Sequence, residues 1–567
     1  MSSVRVSSAA TAAATRRALA LILCAVLATV ALGATSVPAE AAEARHAMVV
    51  AENALAASAG VEILRRGGNA VDAAVATSLA VGVTNPASCG IGGGGFMLIY
   101  IARTHSFYAL DYRERAPMTA SATMYVRNGK PDEELAQSGP LAVAVPGEIA
   151  GLDAALRRFG TVRFSAAAAP AIRLAELGFP ATPHLVQDIA HVTAQMAADP
   201  GLKAIYLTPE GAPPKPGDLV HEKALGETLR SLGDDPATRF YHGEIARTIA
   251  EWMKAHGGLV TEADLAQYRP AWRAPLHRAY RGYEVWTMPP PSSGGVVLEI
   301  LGMLAGAPVS GLGVNSPPYL ARLIEVMRQG FIDRAQYADP DFVHVPIDIL
   351  LSQHHIDQAL QRALHRATPA HVAPASDHGT SNLLVVDKDG NVVAVTTTIN
   401  TIFGAKMMIA SLGLVLNDEM DDFAAGPGVR NAFNLEGAAA NEIAPGKRPL
   451  SSMSPTIVMR RGHPVLTVGA SGGPAIITGV LQVTVNVLDF HLGPQAAIDE
   501  PRVHQQATPD VVFVEAAMPA ATRQALAEMG YRLKEVPSLG AVGAITIAPG
   551  DLQGAFDARK GGGVYGL

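Results

Sequence analysis

Four short stretches of the chain carry side chains whose types and spacing could do chemistry. The first is Asp377-His378-Gly379-Thr380-Ser381-Asn382. In an intact chain Thr380 is simply the start of a strand, and a threonine hydroxyl without a base is a poor nucleophile. If the chain is cut before it, the new α-amino group becomes a base tethered to its own hydroxyl. Such an amine titrates near ~7.7–8, far closer to working pH than a lysine. Gly379 suits the cut, because it hinders attack little and permits a strained carbonyl geometry. The second stretch, Gly469-Ala470-Ser471-Gly472-Gly473, satisfies G-x-S-x-G between a strand-like Val465–Val468 and a helix-like Ile476–Val487, the setting of a nucleophile elbow. The later histidines His491 and His504, with Asp489, Asp499 and Glu500, crowd a triad into too short a span. Two readings therefore stand: a serine hydrolase using Ser471, or a glycine turn whose backbone N–H groups form an oxyanion nest. The third stretch, Asn417-Asp418-Glu419-Met420-Asp421-Asp422-Phe423, packs four acids into five residues. It is either a solvated turn or a cradle for an ammonium group in which Glu419 and Asp422 converge. The fourth holds Arg113, in Asp111-Tyr112-Arg113-Glu114. Its planar guanidinium suits a carboxylate fork as well as a surface ion pair.

Two further patterns read as structural. Gly90-Ile91-Gly92-Gly93-Gly94-Gly95 satisfies G-x-G-x-x-G, but a helix precedes it and a strand follows, the reverse of a nucleotide fingerprint. A turn that lets backbones pack closely is the better reading. Six of the 17 histidines fall between His344 and His378, with no i, i+4 pair accompanied by a glutamate. A solvated helix and linker is expected there, and neither a metal nor a cofactor is called for.

The elements that must position these groups follow from hydrophobic period and turn chemistry. Helical patterning from Asn53 to Val83 breaks at Gly67-Gly68, and Phe96-Met97-Leu98-Ile99-Tyr100 is strand-like. From about Ala142 to Ala338 the chain reads as helices and polar loops, interrupted by Met288-Pro289-Pro290-Pro291-Ser292-Ser293-Gly294-Gly295. Beyond His378 β-type runs dominate: Leu383–Val386 and Val392–Ile399 flank the hairpin turn Asp387-Lys388-Asp389-Gly390, and Thr456–Met459 and Val465–Gly469 follow. A helical front and a β-rich back without repeats predict a layered α+β fold. Among 567 residues, 49% are hydrophobic and 17% charged, which excludes a disordered or fibrous chain, and a net charge of −7 without a long basic tract argues against nucleic acid. Arg5, Arg16 and Arg17 precede an apolar run from Ala18 to Gly33, and Ala39-Glu40-Ala41 offers a cleavage site. Residues 1–41 are thus expected to be a secretory signal peptide, leaving a soluble exported chain whose one thiol is Cys89. Cys24 lies inside the apolar run, and with Cys89 it builds no disulfide framework.

Taken together, the motifs resemble the γ-glutamyltransferase (glutathione hydrolase) family of N-terminal-nucleophile hydrolases from about Met48 to the C-terminus. Besides those above, they include Gly67-Gly68-Asn69-Ala70-Val71-Asp72-Ala73-Ala74, Val145-Pro146-Gly147, Pro290-Pro291-Ser292-Ser293-Gly294-Gly295, Thr396-Thr397-Thr398-Ile399-Asn400 and the run Lys447 to Thr456. The resemblance implies an αββα sandwich of two antiparallel sheets flanked by helices. It implies self-cleavage between Gly379 and Thr380, giving a large chain 42–379 and a small chain 380–567 that stay together as a heterodimer. Thr380 is then the nucleophile and Thr398 its hydrogen-bonding assistant. Arg113, Ser451 and Ser452 hold a donor's α-carboxylate; Asn400, Glu419 and Asp422 hold its α-amino group. The N–H groups of Gly472 and Gly473 form the oxyanion hole, worth ~10²–10³ in rate per donor. The implied substrates are glutathione or another γ-glutamyl donor, with water or an amino acid or peptide as acceptor. The chain departs from the family pattern at Asn382 (usually histidine), Leu384 (Ser/Thr), Pro474-Ala475 (arginine often follows the glycine pair) and Phe433 (often tyrosine). The alternatives are a related amidase such as a glutaryl-cephalosporin acylase and, from another class, a triad hydrolase using Ser471.

Overall fold

Alternation along the strands is the organising fact. Val49 and Ala51 face one hydrophobic core and Met48 and Val50 another; Leu383 and Val385 are likewise divided from Leu384 and Val386. A strand with apolar residues on both faces must be covered on both, so each central strand demands two further layers. A computed structural model describes residues 41–365, 379–424 and 429–567, and residues 41–567 cluster as one compact unit. Residues 1–40 of the segment 1–41 read as a signal peptide, together with Asp377 and His378, lie outside the described residues.

The strands of the two main sheets are, in chain order, β1 (Ala42–Ala44), β2 (Met48–Ala51), β3 (Gly94–Ile101), β4 (Ser106–Tyr112), β5 (Ala271–Arg273), β6 (Leu276–Tyr280), β7 (Tyr283–Thr287), β8 (Ser381–Val386), β9 (Val392–Thr398), β10 (Thr456–Arg460), β11 (His463–Ser471), β12 (Ala541–Ala548), β13 (Asp551–Phe556) and β14 (Gly563–Gly566). One sheet runs β1-β13-β12-β11-β10-β7-β6 and the other β14-β2-β8-β9-β3-β4-β5. Every pairing in both is antiparallel. Helices α1 (Ala54–Arg65), α2 (Ala70–Thr84) and α3 (Glu148–Phe159) cover the outer face of the second sheet. Helices α4 (Gly294–Ala305), α5 (Pro317–Asp333), α6 (Gln353–Leu364) and α7 (Ala475–Leu488) cover the outer face of the first. The result is the helix-sheet-sheet-helix sandwich, an α+β fold.

The local signals held where they were strongest. The β8–β9 hairpin pairs Val386 with Val392 across the Asp-Lys-Asp-Gly turn. Asp387 accepts from Asp389 N and Asn391 N to shape that turn, and its second oxygen accepts from Ala70 N at 2.9 Å, capping α2. The stretch read as helical between Ala142 and Ala338 is corrected in one part: β5, β6 and β7 are strands, with the β6–β7 turn made by Arg281 and Gly282 at positive φ. Alternate residues of Leu276–Tyr280 are less exposed than their neighbours, a period of two embedded among helical periods. Among the described residues no helix is long and apolar enough to cross a membrane.

Candidate active site

Thr380 stands at the mouth of the sandwich, one residue before β8, and is 4% exposed. Ser381 pairs with Thr397 across the hairpin, which brings Thr398, the last residue of β9, alongside the Thr380 hydroxyl. The two Oγ1 atoms are 3.2 Å apart. Both hydroxyls reach the carbonyl oxygen of Gly379, Thr380 at 2.6 Å and Thr398 at 3.2 Å. Asn400 N donates to Thr398 Oγ1 at 2.8 Å. With that lone pair taken, the Thr398 proton is free for the Gly379 carbonyl or the Thr380 oxygen. Gly379 has no room for a side chain: a Cβ there would stand 2.7 Å from Ala87 O and 3.1 Å from Thr401 O.

The glycine run sets the position of β9. Gly94 and Gly95 pair with Thr398 and Thr397, and a Cβ on Gly93 would collide with the Thr398 carbonyl, one on Gly95 with the Thr396 carbonyl. The Gly93 carbonyl accepts from Gly147 N and Glu148 N, and Gly92 O accepts from Asn417 Nδ2 at 2.7 Å. Close backbone approach is therefore the use of this run, as read from its reversed context.

Across from Thr380 the residues expected to hold a donor come together, but they are paired with one another. Arg113 is buried and ion-paired with both Glu419 and Asp422, with Glu114 at 3.6 Å and Pro449 O accepting from Nε at 3.2 Å. Burial works against its charge, but Glu419, Asp422 and Glu114 outweigh it and hold the guanidinium above its ordinary value. Burial raises Glu419 and Asp422, opposed chiefly by Arg113, and pushes Glu114 up to about 7. The cation expected for a carboxylate and the anions expected for an ammonium thus answer each other. Arg113, Thr380, Thr398, Asn400, Glu419, Asp422, Ser451, Ser452 and Gly473 line one cavity, with Phe433, Met453 and Ile476. Its free volume is about 20 Å³, room for one water. Asn400, at φ 79°, donates from Nδ2 to Asp418 O at 3.1 Å. Ser451 Oγ accepts from Met453 N at 3.2 Å, and Ser452 Oγ accepts from Arg334 at 3.3 Å. Arg334 escaped the sequence reading. It is buried, and burial brings it down to about 10, partly offset by Asp422.

Gly472 and Gly473 follow the end of β11 at φ 115° and 57° and lead into α7. Gly472 lines a neighbouring pocket together with Gly379, Ala475 and Lys560. A Cβ on Gly473 would stand 2.5 Å from Phe433 Cδ1, so the Phe433 ring lies directly on the glycine turn. Ser471 is buried, and its Oγ receives Lys560 Nζ at 3.4 Å. The ring nitrogens of His504 are engaged by Thr478 Oγ1 at 2.9 Å and Gln506 Oε1 at 2.8 Å, and burial lowers that imidazole to about 4. No Ser471–histidine pair exists among the described residues, which removes the triad geometry. Of the departures, Asn382 and Leu384 lie between the sheets: Asn382 donates to Ala541 O at 3.4 Å, and Leu384 is core. Phe433 lines the first pocket, and Pro474 and Ala475 line the second.

The family model described as gamma-glutamyltranspeptidase matches residues 56–567. The glutathione hydrolase proenzyme of Escherichia coli (strain K12) is 39% identical over 529 residues, 91% of each chain. The crystal structure of cephalosporin acylase from Bacillus halodurans superposes with a TM-score of 0.84 at 29% identity, covering 94% of this chain and 99% of that one. The gamma-glutamyltranspeptidase of Helicobacter pylori gives a TM-score of 0.53 at 36% identity over 56% of this chain and 91% of that one. With a family match across nearly the whole compact unit, the chain belongs to the gamma-glutamyltranspeptidase family.

Proposed function

We propose that the chain is an autoprocessing γ-glutamyltransferase and glutathione hydrolase. The observation that carries the reading is the Thr380 hydroxyl set 2.6 Å from the Gly379 carbonyl oxygen, beside Thr398 and at the edge of the Arg113–Glu419–Asp422 pocket. In processing, Thr380 Oγ1 adds to the Gly379 carbonyl carbon and its proton passes to the departing Thr380 nitrogen. Water hydrolyses the resulting ester, leaving a carboxylate on Gly379 and a free α-amine on Thr380. That amine then takes the Thr380 hydroxyl proton as Oγ1 attacks a γ-glutamyl amide. The N–H groups of Gly472 and Gly473 stabilise the oxyanion. The proton goes to the leaving amine, and water or an acceptor amine resolves the γ-glutamyl ester.

The donor's head group is a zwitterion, which fits a site whose own charges are already paired. Its α-carboxylate replaces Glu419 and Asp422 at Arg113, joined by Ser451 and Ser452. Its ammonium takes up Glu419, Asp422 and Asn400 in turn. No net charge is buried, so the exchange avoids the desolvation penalty of a lone ion. A glutaryl group, as in a cephalosporin acylase substrate, lacks the ammonium and would leave two buried carboxylates uncompensated, which argues against that reading despite the similar acylase fold. The proenzyme name of the Escherichia coli relative supports two chains from one precursor, here 42–379 and 380–567, held as a heterodimer. We also assign the chain to the periplasm or exterior, on the leader-like residues 1–41. A denaturing gel with N-terminal sequencing tests the reading: two chains are expected, the smaller starting at Thr380, and Thr380→Ala stays whole. A single uncut chain that turns over γ-glutamyl anilide, or faster turnover of the glutaryl anilide, overturns it.

A further inference from the structure

Three helices bring together a second group of titratable side chains that the proposed reaction does not use. Glu299 lies on α4, Asp333 ends α5 and His355 sits in the first turns of α6. His355 Nε2 is 3.2 Å from Asp333 Oδ2 and 3.4 Å from Glu299 Oε1. One ligand atom from each of the three residues lies within 4.8 Å of the others. Glu299 is fully buried, and neither of its carboxylate oxygens has a hydrogen-bond partner. Its near neighbours are His355 Nε2, at 3.4 Å, and the Asp333 carboxyl; a carboxyl taken from water with so little to answer it is costly, so the feature asks for a ligand. The two His355 separations, 3.2 and 3.4 Å, are close to those around a zinc ion. Around a tetrahedral zinc, with metal–nitrogen and metal–oxygen bonds of ~2.0–2.2 Å, neighbouring ligand atoms stand ~3.3–3.6 Å apart.

We propose that Glu299, Asp333 and His355 bind one divalent cation of the zinc class. His355 is the most exposed of the three, at 14% on its side chain, and is the side from which an ion would enter. Gln329 Nε2 donates to Asp333 Oδ2 at 2.9 Å, the outer-shell support that orients a ligating carboxylate. Arg362 stands 3.5 Å from the same oxygen, but its side chain is 47% exposed and swings into water when the cation enters. The next residue, Arg334, donates to Ser293 Oγ at 2.9 Å and reaches Ser452 on the donor-pocket wall. The cation would therefore clamp the end of α5 from which that wall is braced. The competing description is an imidazolium bridging two acids with no metal at all.

The test uses tag-free, full-length protein, stripped with a chelator and titrated with zinc chloride by calorimetry. One saturable equivalent is expected, with a rise in Tm on zinc addition. His355→Ala, at a partly exposed helix position, should weaken that equivalent more than ~100-fold, beyond the ~10–100-fold that loss of an outer-shell partner costs, and abolish the Tm rise. Glu299→Gln should do the same; if it does not fold, His355→Ala decides alone. Cobalt(II) in place of zinc should give a visible d–d band in the parent and none in His355→Ala. No saturable equivalent, or one that His355→Ala leaves unchanged, overturns the proposal in favour of the imidazolium bridge.

Discussion

The mutual pairing of Arg113 with Glu419 and Asp422 has a stability consequence that activity assays alone would miss. Arg113→Met removes a cation that is 1% exposed and leaves Glu419, at 0%, with Asp422, at 10%, facing empty space. Deleting one partner of a buried pair costs about 3–5 kcal/mol, a large part of the ~5–15 kcal/mol of a typical fold. Glu419 supplies most of it, since water already relieves part of Asp422. Measured in a Thr380→Ala background, expected to hold the chain uncut, denaturant midpoints at pH 8 should fall accordingly. The pH dependence has a definite sign. Burial already raises both carboxyls, and without Arg113, the strongest opposing influence, they rise further. A carboxyl with a raised folded-state pKa binds its proton more tightly in the fold, so stability is present at low pH and lost as pH rises through that value. The gap between Arg113→Met and its parent should therefore close on acidification toward the ordinary glutamate value of 4.5, by up to ~1.4 kcal/mol per pH unit. Adding Glu419→Gln should recover a large share of the loss at pH 8. A variant that melts with its parent at pH 8, or a gap indifferent to pH, would refute the claim that these charges answer one another.

Four further outcomes follow from the same geometry. Thr398→Val keeps the shape but removes the hydroxyl that reaches both Thr380 and Gly379, so uncut precursor should accumulate on a gel time course. Gly473→Ala puts a methyl into the Phe433 ring at a left-handed φ, and kcat on a γ-glutamyl anilide should drop by ~10²–10³, the size of one lost oxyanion donor. Ser471→Ala removes the 3.4 Å contact with Lys560, which keeps Glu52 at 3.5 Å, and kcat should stay within about threefold because the loss of one long hydrogen bond is small. The kcat/KM profile should rise with pH through ~7.7–8 as the Thr380 amine becomes neutral; a profile flat from pH 6 to 9 contradicts that base.

Much of the site was legible because its signals are local. Gly379-Thr380 stands out by residue type as a candidate, the Asp387–Gly390 turn fixes the hairpin that opposes Thr380 to Thr398, and Gly92–Gly95 reads as a close-packing run. What stayed hidden depends on long sequence separations. Arg113 meets Glu419 across 306 residues, so the two halves of the clamp looked like separate binding features rather than each other's counterions. Arg334 carries no motif; its importance comes from the end of α5 meeting Ser452, 118 residues on. The Glu299, Asp333 and His355 group comes from three helices, where a search for ligands on one helix face finds nothing. Ser471 shows the opposite error, a motif whose local context is right while its histidine is bonded elsewhere.

The sheet order gives the proposed cut between Gly379 and Thr380 a further meaning. Strand β8, immediately after Thr380, lies between β2 of the front segment and β9, while β3 of the front borders β9; in the other sheet β1 borders β13 and β7 borders β10. Opening one peptide bond thus separates two polypeptides that remain woven through both sheets. The precursor folds as one chain at a rate independent of concentration, but a denatured mature protein must find its partner by bimolecular encounter. Cleavage acts as a ratchet: it records that the sandwich was once assembled, and makes unfolding afterwards far harder to undo.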